Sequence, residues 1–121
     1  MTQGVFITGT DTGVGKTRVA TALAHLLNGH GLRVRVRKPV ESGCLIGSDG
    51  LLPQDAIALR EAAGCAEPLE RICRYRLQAP LSPERAAALE GMELDLCHLY
   101  TACRADIVDD DFLLVEGAGG F

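Results

Sequence analysis

Nine residues, Gly9-Thr10-Asp11-Thr12-Gly13-Val14-Gly15-Lys16-Thr17, constrain this chain more than any other stretch. They follow a short apolar run, Gly4 to Thr8, and precede a segment in which Val19, Leu23, Leu26 and Leu27 fall on one helical face. The run reads as a buried strand and the segment as a helix ended by Gly29 and Gly31. Glycines between a strand and a helix let the backbone wrap an anion with its N–H groups pointing inward, and the helix start adds its positive end. Lys16 can reach the β- and γ-phosphates of a nucleotide, and the Thr17 hydroxyl can bind Mg²⁺. This is the context that a P-loop requires, and it predicts ATP with Mg²⁺ as ligand. Strict spacing would put the first glycine at position 10, where this chain has Thr10; Gly9 stands one residue early.

The remaining chain alternates between two periods. Leu32 to Lys38 alternates strictly and predicts a strand closed by Pro39. Residues 41–53, with three glycines, read as a flexible loop. Asp55 opens a short helix to Ala63, stopped by Gly64. Ser82-Pro83-Glu84 supplies a cap, a proline at the first helical position and an acid in the first turn of a helix to Glu90. Leu94 to Ala105 is a further helix, amphipathic through Leu96, Leu99 and Tyr100. Phe112 to Val115 is an apolar strand ending on Glu116 and followed by Gly117-Ala118-Gly119-Gly120. Strands separated by helices define an α/β class with a parallel sheet flanked by helices, P-loop NTPase-like. Three strands leave such a sheet with uncovered neighbours, so the expectation is a chain truncated after the third strand.

Charge sorts the chemistry. The net charge is −4, yet residues 1–60 hold seven Lys and Arg against four Asp and Glu. An anionic ligand fits that half, while the excess is too small for a nucleic-acid surface. Aromatic residues make up 4% with no Trp, which disfavours a base-stacking platform. Five cysteines, an odd number with no CxxC pair, indicate reduced thiols in a cytoplasmic protein rather than a disulfide frame or zinc site. No apolar run approaches the length of a membrane span.

Glu116, ending a buried strand, would emerge at the sheet edge that carries the P-loop. A second carboxylate would complete a Mg²⁺ shell, and Asp55 is the candidate, with a plain helix cap as its other reading. Lys38 ends the second strand on the face opposite Arg33, Arg35 and Arg37. It either stabilises charge on a transferring phosphoryl group or is a solvated strand end. The three arginines read as an exposed face. His25, His30 and His98 lack a metal-binding partner at useful spacing.

The run GTDTGVGKT, then Lys38-Pro39-Val40-Glu41-Ser42-Gly43, Asp55-Ala56 and Val115-Glu116-Gly117-Ala118-Gly119-Gly120, resembles ATP-dependent dethiobiotin synthetases. The resemblance runs through all 121 residues, which would be the N-terminal part of a single P-loop ATP-binding synthetase domain, inactive alone. It implies that 7,8-diaminononanoate takes up CO₂ to give a carbamate, that ATP phosphorylates it, and that the second amine closes a ring with loss of phosphate. By that resemblance Thr12 and Lys16 contact the phosphates and carbamate, while Thr17, Asp55 and Glu116 hold Mg²⁺. Lys38 is the catalytic cation and Ser42 touches the diamine. Gly13, Val14, Gly15, Lys16 and Thr17, with Glu116, Gly117, Ala118 and Gly119, line the nucleotide. The turn from Pro80 to Pro83 walls the substrate cleft. The family also implies a homodimer.

Two other readings share the P-loop. Cobyrinic or cobyric acid synthase-type amidotransferases also activate a carboxylate with ATP, but the KPVxSG block beside this short loop favours the synthetase. Partitioning or switch ATPases carry an extra lysine early in the loop, where this chain has Gly9-Thr10-Asp11.

Overall fold

The computed structural model describes residues 2–8 and 14–118, without the side chain of Val14. In chain order the elements begin with β1 (Gln3–Ile7), α1 (Val14–Gly29), β2 (Arg33–Arg37), β3 (Val40–Glu41), β4 (Leu45–Gly47) and β5 (Gly50–Leu52). They continue with α2 (Gln54–Ala63), α3 (Leu69–Ile72), β6 (Tyr75–Arg76), α4 (Pro83–Leu89), α5 (Leu96–Arg104) and β7 (Asp111–Glu116). The three expected strands form one parallel sheet, with β7 between β1 and β2. Ile7 stands opposite Glu116 and Arg37 opposite Val115, so both registers finish level at the C-terminal end of the sheet.

Helices cover one face. Ala20 and Ala24 of α1 and Ala56, Leu59 and Ala63 of α2 pack with Val34, Val36 and Leu114. Alanines at the helix contacts let α1 and α2 approach closely, while each buried Leu or Val contributes about 1.5–3 kcal/mol. A second cluster joins Val40, Leu77, Ala86, Ala87, Leu99 and Ala118. Helix α2 stops where Gly64 takes φ +65° and turns its N–H back to Arg60 and Glu61.

Several local expectations change. β1 is not a buried strand: Val5 and Ile7 are half-buried and Phe6 is 58% exposed. Phe6, Leu113 and Val115 line an apolar cavity of about 400 Å³ together with Leu99 and Tyr100 of α5. Of the apolar positions expected to seat α5, only Leu99 is buried, whereas Leu96 and Tyr100 lie exposed. Residues 41–53 are not a featureless loop. They include an antiparallel hairpin, β4–β5, turning at Ser48-Asp49, and a short parallel pairing of β3 with β6.

The arginines do not form one exposed face. Arg33 and Arg35 pair with Asp111 of the neighbouring strand at 3.4 and 3.5 Å. Arg37 is fully buried, held bidentately by Glu67 at 2.7 and 2.9 Å and donating to the Ala105 carbonyl at 2.9 Å. A planar fork with matched acceptors makes such burial tolerable.

Candidate active site

Glu116 is carried to the end of β7, opposite Ile7, and the next residue ties the strands again as Gly117 N–H donates to Ile7 O at 2.9 Å. The glutamate is wholly buried. Lys38 leaves β2 one residue beyond Arg37, its backbone N–H held by Ile72 O at 2.9 Å. Its Nζ donates to Glu116 Oε2 at 2.8 Å and stands 3.6 Å from Asp55 Oδ2. Asp55 reaches in from the first turn of α2, and its side chain is 43% exposed. One buried ammonium thus lies between a buried carboxylate and one that opens to solvent.

Burial pushes the Lys38 ammonium down, but the Glu116 carboxylate, with Asp55 and Glu41, overcomes this and raises it above the usual 10.5. Lys38 is therefore a fixed positive charge at neutral pH. Glu41 lies on the same side. Burial, with the Asp55 carboxylate, pushes its carboxyl up to about 7 against the pull of two backbone N–H groups.

Lys16 and Thr17 occupy the first turn of α1 and are half-buried, and the Thr17 carbonyl accepts from the Thr21 hydroxyl at 2.9 Å. Among the described residues, and apart from its chain neighbours and the helix's own backbone, no atom lies within 4 Å of where a Cβ on Gly15 would stand. Ser42 is half-buried at a turn in which Gly43 takes φ +69° and donates to Ala79 O at 3.1 Å. That turn runs beside Pro80, 3.7 Å from where a Cβ on Gly43 would stand, and the neighbouring backbone is fixed by Glu90, whose carboxylate accepts from Gln78 and Ala79 N–H. Gly117 and Ala118 are buried, Ala118 within the second core. Thr12, Gly13 and Gly119, and the Val14 side chain, lie outside the described residues.

Donor chemistry bears on the metal. Glu116 Oε1 is buried with no hydrogen-bond partner among the described residues, which suits an oxygen that takes a cation. Among those residues no group of three His, Cys, Asp or Glu could hold a metal unaided. Mg²⁺ needs no such group, since it binds through one or two carboxylates, phosphate oxygens and water. The five cysteines are free. No described helix is long and apolar enough to cross a membrane.

Sequence reasoning quoted Glu41 within a motif but gave it no role. Its carboxylate accepts from Asp55 and Ala56 N–H at 3.0 and 3.1 Å. The available signal was Pro53, which precedes α2 and brings no side-chain acceptor for the helix start.

A parallel sheet whose first strand is followed in sequence by a glycine-rich stretch and then by a helix, with charged groups at its C-terminal end, defines a P-loop α/β protein. The sequence model of the AAA domain family matches residues 3–121, and the chain belongs to that family. It is 48% identical over 118 residues to the ATP-dependent dethiobiotin synthetase of Anaeromyxobacter sp. (strain K), covering 98% of this chain and 51% of that protein. The synthetase of the same name from Ruthia magnifica is 42% identical over 118 residues, covering 98% of this chain and 53% of that protein. That of Nitrosospira multiformis is 44% identical over 126 residues, covering all of this chain and 52% of that protein. The chain spans about half the length of the curated relatives it matches.

Proposed function

We propose that the full-length protein closes 7,8-diaminononanoate and CO₂ to dethiobiotin with ATP and Mg²⁺, as a cytoplasmic homodimer in biotin synthesis. Residues 1–121 are then the N-terminal part of its single P-loop domain. The observation that carries the reading is Lys38, a buried ammonium 2.8 Å from Glu116 and 3.6 Å from Asp55, at the C-terminal end of the parallel sheet. Relatives named ATP-dependent dethiobiotin synthetases support it.

In this reading Thr12, Lys16 and the backbone from Gly13 to Thr17 bind the phosphates, and Glu116 to Gly119 line the nucleotide. Ser42 holds the diamine. A carbamate oxygen bonds to the γ-phosphorus of ATP as the bond to ADP breaks. Charge gathers on the phosphoryl oxygens, and the permanently charged Lys38 with Lys16 stabilises it. The second amine then attacks the carbamoyl carbon, phosphate leaves with its bridging oxygen, and the amine's proton passes to solvent. Mg²⁺, held through Thr17, Asp55 and Glu116, would neutralise the β- and γ-phosphates. The chain's residues supply position and charge rather than a covalent intermediate.

ATP turnover by the full-length gene product, with and without diamine and bicarbonate, tests this. Turnover should require both, and Lys16→Gln or Lys38→Gln should abolish it. Turnover indifferent to the diamine leaves a plain P-loop ATPase, and dependence on glutamine would favour the amidotransferase reading.

A further inference from the structure

Helix α2 begins at a position that cannot cap it. Pro53 holds the N-cap place, and no side-chain cap bond is made from there. A helix start leaves its first N–H groups unsatisfied, and an N-cap side chain normally takes those of the second and third residues. In α2 these are Asp55 and Ala56, and one carboxylate from elsewhere in the chain serves both: Glu41 accepts from Asp55 N–H at 3.0 Å and from Ala56 N–H at 3.1 Å. Glu41 is itself pinned. It lies in β3 opposite Arg76, its carbonyl accepts from Leu77 N–H at 2.8 Å, and it is 5% exposed. Asp55, whose backbone N–H Glu41 holds, is the residue whose side chain stands 3.6 Å from Lys38.

We propose that Glu41 is a positioning residue: by capping α2 with both carboxylate oxygens it sets where the Asp55 carboxylate stands relative to Lys38 and Glu116. This rests on the reading of Lys38, Asp55 and Glu116 as the metal and phosphate site. The cap needs two acceptors at this reach. Gln offers one acceptor and turns an N–H₂ towards the other N–H, and Ala offers none. Removing a group that orients a metal ligand commonly weakens metal affinity 10–100-fold.

Mn²⁺ affinity of the full-length protein with a non-hydrolysable ATP analogue, measured in mildly alkaline buffer so that Glu41 is a carboxylate and read by the electron paramagnetic resonance signal of free Mn²⁺, tests the proposal. The variants are Glu41→Gln, Glu41→Ala, Asp55→Asn and Leu59→Ala. Leu59 is buried in the same helix four residues beyond Asp55, so its truncation lowers stability while leaving both cap bonds in place. Affinity should fall about tenfold or more in Glu41→Ala, by less in Glu41→Gln, and stay at the wild-type value in Leu59→Ala despite a lower Tm. Wild-type affinity in both Glu41 variants while Asp55→Asn is weakened would overturn the proposal alone. Equal weakening by Leu59→Ala would also overturn it, by making the effect one of stability. Wild-type affinity in Asp55→Asn would overturn the site reading, and the proposal with it.

Discussion

Lys38 is the residue on which structure and chemistry meet. Its charge is sustained chiefly by Glu116 against burial, so removing Lys38 takes from the buried Glu116 the cation that it pairs with, while removing Glu116 leaves Lys38 the half-exposed Asp55. Breaking a buried pair from one side costs about 3–5 kcal/mol, whereas removing both charges costs far less. Lys38→Met should therefore lower stability by roughly 3 kcal/mol and turnover by about 10²–10³. Adding Glu116→Gln to Lys38→Met should restore most of the stability in urea unfolding and none of the turnover. A double variant as unstable as the single one would show that the pair is not coupled as described. Lys38 and Glu116 were legible as candidates because each stands at a strand end, Glu116 behind an apolar run and Lys38 behind an alternating one, where a charged residue has to be either solvated or used. Glu41 was not, because its partners lie 14 and 15 residues away across a turn. Residue type alone does not report such a contact.

At the scale of elements, period told more than composition. The alternation from Leu32 to Lys38 and the apolar run from Phe112 to Val115 each became a strand, since one face of each meets helices. The short elements escaped notice. α3 has four residues and β4 and β5 three each, too few for any period to repeat. The alternation also misled. Arginines at every second position imply a wet face, yet Asp111 and Glu67 turn that face into ion pairs. Asp111 joins β7 to β2, and a pH dependence follows. Burial pushes its carboxyl up, but the Val108 N–H, Arg35 and Arg33 outweigh this and hold it below the usual 3.8. Since the folded state binds this proton less readily than the unfolded chain, the contribution is complete above 3.8. It is lost as pH falls through the lower folded value. Asp111→Asn should flatten the loss of stability below about pH 3.8, measured by urea unfolding. An unchanged acid slope would place the acid sensitivity elsewhere.

Across the whole molecule, Arg37 joins parts that the sheet alone does not. It runs from the end of β2 to Glu67 before α3 and to the carbonyl of Ala105 behind α5. Arg37→Met should strand the Glu67 carboxylate and lower stability by about 3 kcal/mol, read as a shift of the urea midpoint. A change under about 0.5 kcal/mol would mean that Arg35, 3.8 Å from Glu67, takes over. The parallel sheet was legible as a whole because strands and helices alternate with turn residues between them. The apolar face of Phe6, Leu113 and Val115 was not, since an apolar run does not say which of its two sides is covered.

If charge held at the sheet end serves phosphoryl transfer to a carbamate, as proposed, a carbamate oxygen has to leave with the phosphate. Oxygen tracing tests it most directly. The full-length protein is given ATP, the diamine and freshly added ¹⁸O-bicarbonate in ordinary water, and the released phosphate is analysed by mass. One ¹⁸O should appear in each phosphate formed in step with the ring product, because the carbamate oxygen that attacks phosphorus departs with it. Unlabelled phosphate accompanying ring closure would mean that water, not the carbamate, receives the phosphoryl group, and would rule out the carbamate phosphate.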